Sequence, residues 1–279
     1  MKEVKAISLA IAKTSRFTTL LHSSSQFKDK FEAMFGTGKT VPAANNTRWN
    51  STFKQVQALT ALDHKALTAL DHKALTEMCS EDYENVVFST RTWNQLKELC
   101  AILEPFSEAT DLTEGEKSVT ISMVVPTILD LNTHLLKMEE TRTQCWPLVR
   151  ALRESVMKRF SGIFVKMDMA KESGREEPFN HNAYFVATML DPQFGLSWVD
   201  LDVTNEGSAT SLKKFREELK KTLTDTLISE VENIIESGRD TPDSGATAVD
   251  PASDPAPQSR IQVLQHRLAN TLMPSRTLR

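Results

Sequence analysis

The sequence predicts a mainly α-helical fold. Glycine accounts for only 9 of the 279 residues, whereas leucine, alanine, lysine and glutamate, which favour helices, are frequent. Apolar residues also recur at steps of three and four over several long stretches, which is the period of an amphipathic helix. A hydrophobic fraction of 40% with 25% charged residues is typical of a globular protein, so these helices are expected to pack around a core.

The first 56 residues predict three helices. Apolar residues from Val4 to Leu21 follow one helical face, and Ser23 to Ser25 offers a cap for a second helix that ends at Gly36. Residues 36–46 contain two glycines and a proline, which indicates a loop, and a helix is expected to resume within residues 50–56.

Residues 58–73 contain the octapeptide Ala-Leu-Thr-Ala-Leu-Asp-His-Lys twice in tandem. Eight residues turn a helix by about 800°, so the two copies are roughly 80° out of phase. Their leucines can reach one core only if a break or a bulge separates the copies. His64 and His72, one in each copy, would lie about 12 Å apart along a helix, so we expect solvated histidines and no shared metal.

The central region predicts further helices whose ends coincide with prolines. Ser89 can cap a helix that Pro105 ends, and Pro126 is expected to kink a second helix over residues 119–138. Trp146 and Pro147 open a third, which extends to Phe164. Three tryptophans are predicted to lie in the core: Trp93, Trp146 and Trp198.

The carboxyl-terminal part predicts one strand-like segment or buried turn, one long helix and a tail. The short apolar run of residues 184–190 is the strand-like candidate, and Ser211 begins the helix, whose apolar residues continue to Ile234. Residues 237–259 are rich in Pro, Ser, Asp, Ala and Thr. They lack the apolar area needed to offset the entropy of ordering, so a disordered tail is expected from residue 237.

Charge is unevenly distributed along the chain. Residues 1–54 carry nine Lys and Arg against three Asp and Glu, and residues 260–279 carry four Arg and no acid, whereas the net charge of the whole chain is −4. The basic amino-terminal part is compatible with a phosphate backbone, whereas the acidic middle is not. The three cysteines, Cys79, Cys100 and Cys145, are widely spaced, which suits a reducing compartment and argues against a zinc site.

Three segments carry a resemblance to a known family. They are Thr47-Arg48-Trp49-Asn50-Ser51-Thr52-Phe53, the stretch from Leu103-Glu104-Pro105-Phe106 to Ser122-Met123-Val124-Val125-Pro126, and Ala187-Thr188-Met189-Leu190-Asp191-Pro192-Gln193-Phe194. In this order they resemble hAT-type DNA transposases of the branch that carries a BED zinc finger. The resemblance covers roughly residues 1–236, and no Cys and His set in this chain can form the zinc finger itself.

The resemblance implies a helical insertion domain with partial elements of an RNase H-like core on either side. On this basis residues 1–46 are flanking amino-terminal helices, 47–182 the insertion domain, 183–236 a return segment to the core and 237–279 the disordered tail. The family's three metal-binding acids map onto no residue of this chain. We therefore expect no enzymatic activity, no catalytic residue and no cofactor.

The resemblance also supplies the candidate site. In related transposases the tryptophan that matches Trp49 lies near the active site, where an aromatic ring can stack on an unpaired base and a neighbouring guanidinium can hold a phosphate. Arg48, Trp49 and Lys39 are thus the DNA-binding candidates. Packing in the core is the competing interpretation for Trp49, and the one we favour from sequence.

The expected function follows from these points. The chain is a non-catalytic, transposase-derived protein that retains weak DNA binding in the nucleus, or is otherwise cytoplasmic, with no membrane span. The first alternative is a helical interaction module that associates with other transposase-family chains. The second is a nuclease completed by another chain.

Overall fold

The mainly α-helical prediction is confirmed by a computed structural model, which describes residues 2–45, 48–69, 86–114, 120–141, 144–172, 174, 177–203 and 209–238. Within these ranges no β-strand occurs, and a 3-10 turn at Ile121–Met123 precedes α5. The helices are α1 (Lys2–Ser23), α2 (Ser25–Phe35), α3 (Trp49–Thr60), α4 (Thr90–Thr113), α5 (Val124–Glu140), α6 (Trp146–Arg159), α7 (Ser161–Lys166), α8 (Asn182–Leu190), α9 (Ser197–Asp202) and α10 (Ala209–Gly238).

The chain forms two compact units. Unit 1 contains Met1–Ala109 and Leu131–Ser155, and unit 2 contains Thr110–Asp130 and Val156–Arg279. The domain boundaries implied by the family resemblance stay a prediction. The predicted tail beyond Gly238, together with His72 and Cys79, lies outside the described residues. In the part of the chain that the structure covers, no helix combines the length and the apolarity needed to cross a membrane.

The core of unit 1 is built around aromatic side chains of α1 and α2. The Phe17 ring meets the rings of Phe27 and Phe31 edge-on, at centroid distances of 5.6 and 6.2 Å. The two helices can form this hairpin because the Ser24 side chain accepts from the Phe27 amide, as the predicted cap requires. Gly36, at φ 101°, then ends α2 in a conformation that L side chains rarely adopt.

The tandem octapeptide contains a break, one of the two irregularities that the phase error allows if both copies reach one core. Helix α3 ends at Thr60 within the first copy, and a second helical turn covers residues 64–69. Asp63 Oδ1 accepts from the Ala66 amide at 2.7 Å, which caps the new turn. The break removes the phase error, so Leu59 and Leu67, equivalent leucines of the two copies, are both buried in the core of unit 1.

His64 is not solvated, so that prediction was wrong. Its imidazole is half-buried and stacks on the Trp93 ring. The break within the first copy causes this, because a new helical turn begins at residue 64 and directs the ring toward α4.

Two predictions about prolines were also wrong. Pro105 does not end α4, which continues to Thr113. Proline leaves the carbonyl four residues earlier without its helical partner, and that residue, Ala101, is exposed, so water can replace the missing donor. Pro126 lies in the first turn of α5 and not in the helix interior. In the first turn a backbone N–H has no acceptor within the helix, so proline loses no hydrogen bond there.

The segment predicted to be strand-like, residues 184–190, belongs to helix α8 of unit 2. Phe185 and Thr188, three residues apart, are its buried residues, and His181 Nδ1 accepts from the Ala183 amide to cap it. A short apolar run cannot be assigned from periodicity alone, and here it packs on the 3-10 turn before α5.

The predicted long helix after Trp146 is interrupted at Phe160, which separates α6 from α7. Trp93 and Trp198 are buried as predicted. Trp146 is only half-buried, because it lies in the first turn of α6 and one of its ring faces is covered by the Arg150 guanidinium at 5.8 Å.

Candidate nucleic-acid interface

Trp49 is the first residue of α3, and 45% of its surface is exposed. The interpretation of Trp49 as a core residue was therefore wrong. Phe53 and Val56 lie on the buried face of α3. Trp49 lies on the same face one turn earlier, at the residue where the helix begins. Its ring contacts only the edge of that core, 6.2 Å from the Phe53 ring.

The segment that leads into Trp49 is held by hydrogen bonds from α3 itself. The Asn45 amide donates to Ser51 Oγ at 2.8 Å, and Ser51 Oγ lies 2.7 Å from the Arg48 carbonyl oxygen. Farther along α3, the buried Gln55 amide donates to the Pro42 carbonyl at 3.1 Å. These contacts fix the backbone at Arg48 and Trp49, so both side chains project from an ordered scaffold.

The amino end of α3 is electropositive. Arg48 occupies the capping position without a side-chain hydrogen bond to the helix, and no acidic residue lies in the first turn. No carboxylate in the first turn of α3 therefore offsets the partial positive charge of the helix end or the charge of the Arg48 guanidinium. Arg48 is exposed, and none of the described acidic residues forms an ion pair with it.

Lys39 lies in a separate part of unit 1, on a cleft of about 330 Å³ that contains neither Arg48 nor Trp49. Among the described residues that line the cleft, Glu32 is the one acid, and it pairs with Lys28 at 3.8 Å, so the Lys39 ammonium adds a net positive charge. The cleft is lined by Leu21, His22, Lys28, Glu32, Gly38, Lys39 and Thr40. Sequence reasoning missed this cleft, because no spacing signal connects α1, α2 and the following loop.

The polar residues of the three family-like segments contact one another. Ser107 Oγ, in the second segment, donates to Asn50 Oδ1 of the first at 2.6 Å. Ser122 Oγ, also in the second segment, donates to Asp191 Oδ2 of the third at 2.8 Å. The Thr188 hydroxyl donates to the Ser122 carbonyl at 2.9 Å. Each contact lies within one unit and satisfies a polar group of a buried serine or threonine, so these residues stabilise the fold.

Asp191 has the role of a turn former. Its Oδ1 accepts from the Gln193 amide at 3.0 Å while Oδ2 accepts from Ser122. Throughout the described ranges, no group of three or more His, Cys, Asp or Glu residues is placed to hold a metal ion.

Unit 2 contains one further charged group that the sequence did not single out. Lys166 donates to Asn182, and its ammonium lies 5.1 Å from the centre of the Phe185 ring. Burial lowers the pKa of Lys166, and the negative charge of Glu230 partly opposes that shift. Asn182 in turn donates to Glu230 at 2.6 Å, so the three side chains connect α7, α8 and α10.

Among the described residues, Trp49 and Arg48 are thus an exposed aromatic and an exposed cationic side chain at consecutive positions, and Lys39 lies elsewhere in the same unit. No protein-family model, curated protein or solved structure matches this chain.

Proposed function

We propose that this chain is a non-catalytic protein derived from a hAT-type transposase, and that it binds DNA weakly through Trp49 and Arg48. The observation that carries the proposal is that Arg48 and Trp49, consecutive residues at the amino end of α3, are both exposed. A tryptophan that served only the core would be buried, as Trp93 and Trp198 are.

The chemistry of the two side chains favours an unpaired base next to a phosphate. An exposed indole offers a flat surface on which any base can stack, which is worth about 1–3 kcal/mol per base. The Arg48 guanidinium can hold the adjoining phosphate, and the uncapped helix end adds a favourable dipole. Hairpin ends and single strands present such bases, whereas an intact duplex hides them.

Charge limits this binding to one part of the protein. Residues 1–54 are basic, and Lys39 adds positive charge to the same unit on a separate cleft, but the middle of the chain is acidic. We therefore expect low affinity, little sequence preference and a strong dependence on salt.

The non-catalytic part of the proposal rests on the family resemblance, since none of the three metal-binding acids maps onto this chain. The purified protein should not cleave DNA with Mg²⁺ or Mn²⁺. Metal-dependent nicking that survives repurification, and that disappears when one of the chain's own carboxylates is replaced, would contradict it and favour a nuclease.

The decisive experiment measures hairpin binding by fluorescence anisotropy for Trp49→Ala and Trp49→Phe. Stacking predicts that alanine weakens binding by about 1–3 kcal/mol and that phenylalanine recovers part of the loss. The thermal midpoint should stay native-like, because the ring is only half-buried. The matched control is Leu9→Ala, which removes another exposed apolar side chain, on α1, and should leave binding unchanged.

Arg48→Ala tests the phosphate contact separately. It should reduce the salt slope of binding by roughly one, and Arg91→Ala, which removes an exposed arginine elsewhere in unit 1, should not. If Trp49→Ala binds hairpins as well as the wild type, this interface is wrong. Nuclease-resistant co-purification with a transposase-family chain would then favour the interaction module.

A further inference from the structure

Helix α10 has two halves with different surroundings. In the first half, Leu219 and Leu223 are buried, and Lys220 pairs with Asp200 of α9 at 2.8 Å. The second half instead exposes four large apolar side chains: Ile228 (50%), Val231 (45%), Ile234 (69%) and Ile235 (51%). The apolar residues that the sequence predicts up to Ile234 therefore belong to one helix, but those in its second half are exposed.

These four side chains form one stripe, because steps of three, three and one keep them on adjacent positions of a helix surface. Single exposed apolar residues are common, but contiguous groups mark a surface that another segment covers. All four residues are β-branched, and exposed β-branched residues do not stabilise a helix. The stripe therefore requires an occupant.

The charges beside the stripe restrict that occupant. Asp225, Glu232 and Glu236, at steps of seven and four, run along one edge of it, and all three are exposed. An occupant should thus be apolar on one face and basic beside it. A second copy of α10 fits poorly, because it would bring the same three carboxylates against this edge.

The chain itself contains a segment with the required chemistry, outside the described residues. Residues 260–279 carry four Arg and no acid. Four apolar residues of this segment recur at steps of three and four, the spacing that suits packing against a helix. They are Ile261, Leu264, Leu268 and Leu272.

The intervening chain is long enough for this contact. Residues 239–259 separate the end of α10 from the basic segment, which is 21 residues. Twenty-one residues can span up to about 70 Å when fully extended. The stripe is only about 10 Å long, so the segment can return along its full length.

We infer that residues 260–272 fold back onto α10 and cover the stripe of Ile228, Val231, Ile234 and Ile235, with Arg260 and Arg267 next to the acidic edge. The composition argument for a disordered tail rests on residues 237–259, so it does not apply to this segment. The contact lies within one chain and is independent of DNA binding at Trp49.

Hydrogen–deuterium exchange of the full chain tests the apolar contact. Leu264→Ser with Leu268→Ser should speed exchange of the amides of residues 228–236 by about tenfold, because docking no longer opposes their opening. The matched control is Gln262→Ser with Gln265→Ser, which alters the same segment at polar positions and should leave exchange unchanged. Equal exchange in the wild type and the leucine variant would overturn the inference. The thermal melt of each variant shows whether the helical units remain folded.

A charge-reversal cycle tests the orientation. Glu232→Arg and Arg267→Glu should each speed exchange of the same amides, and the double variant should restore protection. If each single variant speeds exchange of these amides but the double variant does not restore their protection, the pairing of Glu232 with Arg267 is wrong.

Light scattering identifies the source of the covering segment. Protection in a particle with the mass of one chain, independent of protein concentration, is the expected result. Protection that rises with concentration together with a dimeric mass would assign the stripe to a second copy and overturn intramolecular docking.

Discussion

The imidazole of His64 stacks on the indole of Trp93, with ring centroids 4.7 Å apart and planes inclined by 23°. His64 Nε2 also lies 3.0 Å from the carbonyl oxygen of Phe88, just before α4. The first octapeptide thus connects to the start of α4 through its histidine. The leucine that follows, Leu67 of the second copy, is buried in the same core.

Deletion of residues 66–73 should change stability little. The chain continues after the repeat with Ala74-Leu75-Thr76, so the deletion places an identical Ala-Leu-Thr at positions 66–68 and keeps a leucine where Leu67 packs. We expect a thermal midpoint within about 2–4 °C of the wild type, which corresponds to less than about 1 kcal/mol.

The contrasting variant is Leu67→Ala, which removes one side chain instead of eight residues. Because Leu67 is buried, its truncation should cost about 2–5 kcal/mol in the free energy of unfolding. If the deletion lowers the free energy of unfolding as much as Leu67→Ala does, Ala74-Leu75-Thr76 does not take the place of Ala66-Leu67-Thr68. The expected replacement of Leu67 by Leu75 is then wrong.

Local signals in the sequence were sufficient to predict the caps. Ser24 and Gly36 act within one helical turn, where side-chain hydrogen bonds and backbone conformation decide the outcome. The exposure of Trp49 could not be predicted in this way. It depends on where the core of unit 1 ends relative to α3, and this boundary cannot be determined from the sequence of α3. The same limit applies to Ile234, since helical period shows a stripe but not whether another element covers it.

Gly162 should tolerate no side chain. A Cβ at this position would lie 2.5 Å from the Asn180 amide nitrogen and 2.6 Å from the Pro178 carbonyl oxygen, both of which are backbone atoms that cannot rotate away. The Gly162 amide also donates to that carbonyl at 2.9 Å, which holds α7 against the loop before α8. Gly162→Ala should lower the free energy of unfolding by about 1–3 kcal/mol, and Gly162→Val by more. Equal stability of the wild type and both variants, measured by denaturant titration, would refute this close approach.

Cys145 should make the stability of the protein fall at alkaline pH. Burial, and secondarily the negative charge of Glu98, raise the pKa of the Cys145 thiol from its ordinary value of 9.0 to about 12. As pH rises above 9, the unfolded chain loses this proton while the folded chain keeps it, so ionisation favours unfolding. The stabilising contribution is therefore complete below pH 9 and is lost between pH 9 and about 12.

Cys145→Ala and Cys145→Ser both remove that ionisable group. In each variant the free energy of unfolding should decline less steeply than in the wild type over this pH range, whatever the cost of the altered packing at lower pH. Parallel pH profiles for the wild type and both variants would show that the thiol ionises equally in the folded and unfolded states.

Trp49 should dominate the quenching of tryptophan fluorescence by acrylamide in the free protein. Of the four tryptophans, Trp93 and Trp198 are buried and Trp146 is half-buried with Arg150 over its ring, whereas Trp49 is exposed at the end of α3. Trp49→Phe should therefore remove most of the fluorescence that acrylamide quenches readily, and Trp93→Phe should leave that fraction in place. Because this measurement needs no DNA, it tests the exposed position of the ring separately from its proposed use. A quenchable fraction that persists in Trp49→Phe would mean that another segment covers the ring, and the interface would then need a different aromatic residue.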